Sequence, residues 1–268
     1  MVNVLKANGE LEPFSEEKLR YSIERAGIPS ALQDKVVSHV KSKLHENIPT
    51  SVVYKHISEF LAKEPNHFSA KYSLKQAIMN LGPTGHPFED LLSELFKKEG
   101  FTTQTRTVLS GKCVSHEIDV IAEKNDEKIM VEAKFHNRTG TRTEIHVSLY
   151  TKARFDDIKE KYGLTKAILA TNTKVTADAL SYALCSNMEV ISWSYPEKRG
   201  LRDLIEIYNL HPITVLTSLS QNQKMLLLEE HIVLCKEIAN NPSVLDLIDI
   251  LPAKKKNVMD ELSGILNL

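Results

Sequence analysis

The sequence predicts an α/β protein in three parts: a helical unit entered through a hairpin, a central mixed sheet in α/β/α layers, and a small helical C-terminal unit. Two observations carry that expectation. Turn formers interrupt otherwise periodic sequence at Gly82-Pro83-Thr84-Gly85 and near Tyr195-Pro196-Glu197-Lys198-Arg199-Gly200. Between those breaks the apolar spacing becomes that of strands alternating with helices, and after the second it is helical again. Boundaries follow at 1–83, 84–198 and 199–268.

In the first part, Asn8-Gly9 separates Val2 to Lys6 from Glu10 to Phe14, and both turn residues tolerate positive φ, so a hairpin is expected. Ser15 caps a helix with Glu16 and Glu17 in its first turn and Leu19, Ile23 and Ala26 at helical spacing, stopped by Gly27. Three helices follow, marked by Leu32 to Leu44, by Val52 to Leu61 after Thr50 as cap, and by Tyr72 to Leu81. The central part opens with a helix carrying Phe88, Leu91, Leu92, Leu95 and Phe96 on one face. Strands are expected at 101–109, 117–123 and 128–135, then a helix (144–161), the strand Ala167-Ile168-Leu169-Ala170, a helix (175–186) and the strand Val190-Ile191-Ser192-Trp193. The last part has helical apolar faces from Leu201, Leu204 and Ile205 through Leu226, Leu227 and Ile232.

Composition sets bounds on function. No stretch approaches the roughly 20 apolar residues that a membrane span needs, and the start lacks a basic-then-apolar leader, so a soluble, cytoplasmic protein with no membrane partner is expected. Cys113, Cys185 and Cys235 are too scattered for a disulfide framework or a zinc site. Net charge is -1, and Lys and Arg nearly balance Asp and Glu in every part: 11 against 9, 16 against 17, and 7 against 9. Any nucleic-acid contact must come from local clusters such as Arg138/Arg142, Lys152/Arg154 or Lys254-Lys255-Lys256, and a transient or assembled DNA complex is favoured over tight binding by one subunit, with a homo-oligomer expected.

One stretch carries chemistry. If Glu123 faces Lys128 across the turn, pairing at constant sum places Asp119 opposite Glu132. Alternation then puts Glu117, Asp119, Glu132 and Lys134 on one face, with Ile118, Val120, Ala122, Ile129, Val131 and Ala133 on a wholly apolar other face. Opposed carboxylates repel unless a cation lies between them, and Mg²⁺ (or Mn²⁺) is a hard cation content with one or two carboxylates, waters and phosphate oxygens. Lys134 can orient a water or stabilise charge on a phosphodiester under attack. The alternative is a solvated strand pair closed by an exposed salt bridge.

Residues 84–195 resemble the PD-(D/E)XK nucleases, in particular Mrr-type restriction endonucleases. Gly85-His86-Pro87-Phe88-Glu89, Glu99-Gly100-Phe101, Glu117-Ile118-Asp119-Val120-Ile121-Ala122, Val131-Glu132-Ala133-Lys134 and the Thr171 to Ala183 stretch leading into Ile191-Ser192-Trp193 follow that family's order. The resemblance implies Asp119 and Glu132 as metal ligands, Lys134 as the catalytic lysine and Glu89 as the first-helix acid. Mrr-type members often have Gln where this chain has Glu132. His116 and His136 flank the stretch.

The first part resembles the ATP-cone, a nucleotide-sensing module, through Val4-Leu5-Lys6-Ala7-Asn8-Gly9-Glu10-Leu11-Glu12-Pro13-Phe14-Ser15-Glu16-Glu17-Lys18-Leu19, Ile48-Pro49-Thr50 and Ala70-Lys71-Tyr72. The likeness implies ATP or dATP as ligand, with Lys6, Glu12, Lys18 and Thr50 as contacts. Ala7 stands where the family usually has arginine. No GxxxxGK[ST] loop is present, so binding without hydrolysis is expected. The combined expectation is an ATP- or dATP-responsive, metal-dependent DNA endonuclease, with RNA open as a substrate. The competing class is a non-cleaving, nucleotide-responsive DNA-binding or regulatory protein on a nuclease-like fold.

Overall fold

Short strands β1 (Asn3–Leu5) and β2 (Leu11–Pro13) pair antiparallel with Leu5 opposite Leu11. The computed structural model describes every residue except Met1, Ala7, Asn8, Pro65, Thr139, Asn267 and Leu268, and also leaves the side chains of Asn66 and His67 undescribed. Asn8 of the expected turn thus lies outside the described residues. The register places three residues between Lys6 and Glu10, whose backbones bond at 2.8 Å, so the connection is longer than a two-residue Asn-Gly turn. Helices α1 (Glu16–Arg25) and α2 (Ser30–Lys41) follow, with Ser15 Oγ accepting from Lys18 N at 3.2 Å as the expected cap.

A third strand that periodicity does not mark, β3 (Ile48–Pro49), lies parallel to β1, with Val4 facing Ile48. It leads straight into α3 (Thr50–Leu61). Thr50 is the first residue of that helix and makes no cap hydrogen bond, a correction to its expected role. The last expected helix is two, α4 (Asn66–Tyr72) and α5 (Leu74–Met79), interrupted at Ser73.

The central part runs α6 (His86–Lys98), β4 (Thr102–Ser110), β5 (Ser115–Lys124), β6 (Glu127–Lys134), β7 (Arg142–Thr143), α7 (Ile145–Tyr162), β8 (Lys166–Thr171), β9 (Lys174–Val175), α8 (Ala177–Cys185) and β10 (Glu189–Ile191). Its sheet has the order β10-β8-β6-β5-β4, antiparallel from β4 to β6 and parallel from β6 to β10. The parallel half is wound through α7 and α8, as crossover geometry requires. The two short strands β7 and β9 form a separate parallel pair.

Both sheet faces are packed. Val120, Ala122, Ile129, Val131, Ile168 and Ala170 meet α6 on one face, where Phe88 and Phe96 are essentially fully buried; each such side chain stabilises by roughly 1.5–3 kcal/mol. On the other face Ile121, Met130, Ala167 and Leu169 pack with Val147, Phe155, Ile158 and Ala183 of α7 and α8. The acidic stretch is therefore one end of a covered sheet, not the open face that alternation implies.

The C-terminal part comprises α9 (Leu201–Ile207), α10 (Gln221–Glu229), α11 (Cys235–Asn240) and α12 (Pro252–Leu266), with 3-10 turns at Ile213–Val215 and Pro242–Leu247. It shares one continuous core with α5 and α6. Thr214 Oγ1 bonds Ala77 O at 2.7 Å, and Arg25 pairs with Asp203 at 2.5 Å, so all three parts interlock. Among the described residues no helix is long and apolar enough to cross a membrane.

Candidate active site

The site forms where β5 and β6 part. Their ladder follows the expected register from Lys124 opposite Glu127 to Val120 opposite Val131, then stops. At the next position Asp119 turns its carboxylate into the fork, and Oδ2 accepts the Ala133 N–H at 2.7 Å. β6 goes on alone with β8, pairing Glu132 with Leu169 and Lys134 with Thr171. Across β4 the ladder skips the same point: Thr105 faces Val120, Thr107 faces Ile118, and Arg106 between them has φ 51°. Left-handed backbone is costly for a residue with a Cβ and marks a local constraint. The side-chain alternation slips here, since Ile118 packs with Leu109, Ile121 and Met130 rather than with Val120. The expected wholly apolar face is thus broken at Asp119.

Glu89, Asp119, Glu132 and Lys134 line one cleft of about 380 Å³ with Pro83, Gly85, Ala133, Phe135, His136 and Asn137. Glu89 enters from the first turn of α6, held there by Phe88 in the core. Each carboxylate has one oxygen engaged: Asp119 by the Ala133 amide, Glu89 by Arg106 Nη1 at 3.1 Å, and Glu132 by Arg154 Nη1 at 2.5 Å. Among the described residues no donor reaches Asp119 Oδ1 or Glu132 Oε1.

The electrostatics follow from crowding three acids in little water. Burial first, then the charge of Asp119, pushes Glu132 up to about 7, against the opposing pull of Arg154 and Lys134. Burial likewise raises Asp119, opposed by the Ala133 amide, and raises Glu89, opposed by Arg106. Lys134 is half-buried and acts as a positive charge on both strand acids. His136 also belongs to the cleft: its Nε2 meets Thr143 Oγ1 at 3.0 Å, while its backbone is fixed by Asn172 through bonds of 2.9 and 2.7 Å. His116 does not; it pairs instead with Asp157 at 2.8 Å beneath the β4–β5 hairpin. Glu117 is exposed, opposite Val108.

Two arginines escaped the sequence reading. Arg154, expected as a surface cation, is only 6% exposed and stacks on Tyr150 at 4.9 Å, with Nε lacking a partner. The signal was present: Val147, Thr151, Arg154 and Ile158 share one helical stripe, and a charge in a buried stripe needs a buried partner. Arg106 stands at the gap of the β4–β5 register, between the Thr105–Val120 and Thr107–Ile118 pairs and so level with Asp119.

A divalent ion fits this donor set in one respect and not in another. Among the described residues no group of three or more His, Cys, Asp and Glu side chains is arranged to hold a metal ion. Two carboxylates, each with one uncommitted oxygen, are nevertheless what Mg²⁺ takes when water and phosphate complete its shell.

In the first part, Lys6 and Lys18 converge on Glu12 at 2.6 and 3.1 Å, and Lys6 is raised and Glu12 lowered by that contact. Thr50 follows directly on the Leu5–Pro49 pair, so it starts α3 beside the end of β1.

Comparison with known proteins agrees with this layout. Family models match at residues 2–78 (ATP cone domain), 82–196 (restriction endonuclease) and 211–266 (AF1548-like, C-terminal). The crystal structure of AF1548, a protein of unknown function, is 33% identical with a TM-score of 0.59, covering 69% of this chain and 99% of that one. The chain belongs to the AF1548-like family. An uncharacterized protein of Archaeoglobus fulgidus is 43% identical over 125 residues, 47% of this chain and 71% of the relative. This AF1548-like chain therefore sets an ATP cone ahead of a restriction-endonuclease domain of the Mrr type, as the resemblances implied.

Proposed function

We propose that this protein is a metal-dependent endonuclease that hydrolyses DNA phosphodiester bonds under the influence of ATP or dATP bound to its cone, with functional divisions at 1–83, 84–198 and 199–268. The convergence of Asp119, Glu132, Lys134 and Glu89 in one cleft carries the reading. Asp119 and Glu132 would hold Mg²⁺ or Mn²⁺, which supplies Lewis acidity toward a phosphoryl oxygen and a more acidic water. The Ala133 amide and Arg154 fix the two carboxylates so that one oxygen of each faces the cleft. Lys134 stabilises charge building on the phosphate oxygens. Glu89, tethered by Arg106, can take up a proton from an attacking water, because burial raises its affinity for one. Phe135, tilted against Phe88 at 5.8 Å, lines the cleft and ties it to the core.

In the cone, Lys6 and Lys18 would exchange Glu12 for nucleotide phosphates beside Thr50. A homo-oligomer would place two clefts on the two strands of a duplex.

A plasmid nicking assay with Mg²⁺ tests both halves. Wild type should cleave, EDTA should abolish cleavage, and Asp119→Ala should lose at least about 100-fold, the scale of removing one transition-state contact. Undiminished cleavage by that variant would refute the site. Addition of ATP or dATP should change the wild-type rate but not that of Lys6→Gln; identical responses would remove the cone from control.

A further inference from the structure

Three cations near one another, Arg142, Lys174 and Lys75, lack the carboxylate partners that many cations of the central part possess. Arg142 of β7 and Lys174 of β9 are direct register partners, and like charges facing each other across a strand pair destabilise it. Lys75 of α5 belongs to the cone but lies at 5.7 Å over the Trp193 ring, and Trp193 N bonds Thr173 O at 3.0 Å, next to Lys174. Burial, and then the charge of Lys174, disfavours the Lys75 ammonium, although the residue keeps solvent access. Elsewhere in the central part Arg106, Lys112, Lys128, Arg154, Lys159 and Lys166 all bind carboxylates. Among the described residues no acid comes within ion-pair distance of Lys75, Arg142 or Lys174; Glu144, the acid nearest Arg142 in the chain, pairs with His146 at 3.7 Å.

A buried pair of threonines ties β7 to the strand end that carries Lys134. Lys134 faces Thr171, Thr171 Oγ1 receives a hydrogen bond from Thr143 Oγ1 at 3.0 Å, and Thr143 follows Arg142. From Thr171 to Lys174 the chain spans at most about 10 Å, the rise of about three nucleotides at 3.4 Å each. Repulsion without a counter-charge, built into two short strands and a helix of another domain, calls for a polyanion.

We propose that Arg142, Lys174 and Lys75 form one phosphate-binding strip that grips the sugar–phosphate backbone of DNA leaving the cleft, so that the cone takes part directly in substrate binding. The inference rests on the endonuclease reading and adds a physical link between the two domains. A nucleotide that shifts α5 would alter DNA affinity, because it would favour arrangements differing in the position of Lys75.

The test uses the full chain carrying Asp119→Ala, in EDTA, with a fluorescein-labelled DNA duplex and anisotropy measured over a range of salt. Lys75→Gln, Arg142→Gln and Lys174→Gln should each weaken binding several-fold and each reduce the slope of log affinity against log salt by about 0.9, the signature of one lost phosphate contact. Lys98→Gln, at the opposite end of the sheet beside the β5–β6 turn, should change neither. Melting temperatures should not fall for Arg142→Gln and Lys174→Gln, because each relieves repulsion; Lys75→Gln also removes the ammonium over Trp193, so its binding is read well below its own melting temperature. As a second readout on unmutated protein, the duplex should shield Lys75 and Lys174, but not Lys98, from amine acetylation detected by mass spectrometry.

An unchanged slope for Lys75→Gln, together with unshielded Lys75, would overturn the proposal while leaving the endonuclease reading intact. Tighter binding of an RNA duplex would overturn the choice of DNA. Failure of the Asp119→Ala parent to bind DNA at any salt would overturn both readings.

Discussion

At the scale of residues, the site depends on how buried charges are compensated. Arg154 and Glu132 form a buried pair, and losing one partner of such a pair typically costs about 3–5 kcal/mol. Glu132, however, holds its proton up to about 7, so the cost depends on pH. A carboxyl whose folded pKa is raised stabilises the fold most below its unfolded value near 4.5 and loses that contribution as pH rises through about 7. Metal-free protein should therefore lose stability between pH 5 and 8, and 10 mM Mg²⁺ should raise the melting temperature at pH 8 far more than at pH 5.5. Arg154→Gln should cost a few kcal/mol at pH 8 and clearly less at pH 5.5, where Glu132 takes up a proton in place of its counterion; urea denaturation at the two values checks this. A pH-independent loss would mean that Arg154 acts by packing on Tyr150 alone.

Among the elements, the connection between the central and C-terminal parts is tightly constrained. A Cβ on Gly200, the N-cap of α9, would meet Ser194 Cα at 2.8 Å and Tyr195 N at 2.9 Å, both backbone atoms unable to give way cheaply. Gly200→Ala should therefore destabilise the protein by about 1–3 kcal/mol, the usual cost of overpacking, measured as a lower urea midpoint at unchanged slope. Most of the elements were legible from sequence because core packing imposes a period: α6, the three antiparallel strands, α7 and β8 lie within a few residues of their expected limits. What periodicity missed were elements too short to show one, namely β3, β7 and β9, and the break at Ser73. Those are fixed by neighbours distant in the chain, such as β1 for β3.

For the molecule as a whole, three family matches do not make three independent folding units. Leu201, Leu204, Ile213 and Leu216 share a core with Leu91, Leu95, Leu74 and Ile78. Removing the C-terminal part would strip apolar cover from both α5 and α6, leaving an exposed patch of the kind that drives association. A fragment of residues 1–198 should thus aggregate or unfold without a cooperative transition by circular dichroism, whereas the full chain should melt cooperatively. A soluble, cooperatively folding fragment would show that the shared core is dispensable.

The sequence by itself determined the α/β layering, the strand register that brings Asp119 level with Glu132, and the identity of the acids and lysine, because these follow from local period and from a hairpin whose turn sets the sum of paired positions. Only the tertiary structure decided that β5 and β6 part at Asp119, that its carboxylate replaces a ladder bond to Ala133, that Arg106 and Arg154 secure Glu89 and Glu132, and that His116 belongs elsewhere. Those outcomes depend on burial and on partners from α6, β4 and α7, which lie up to dozens of residues away; charge compensation in a low-dielectric interior is set by whichever groups the fold brings together.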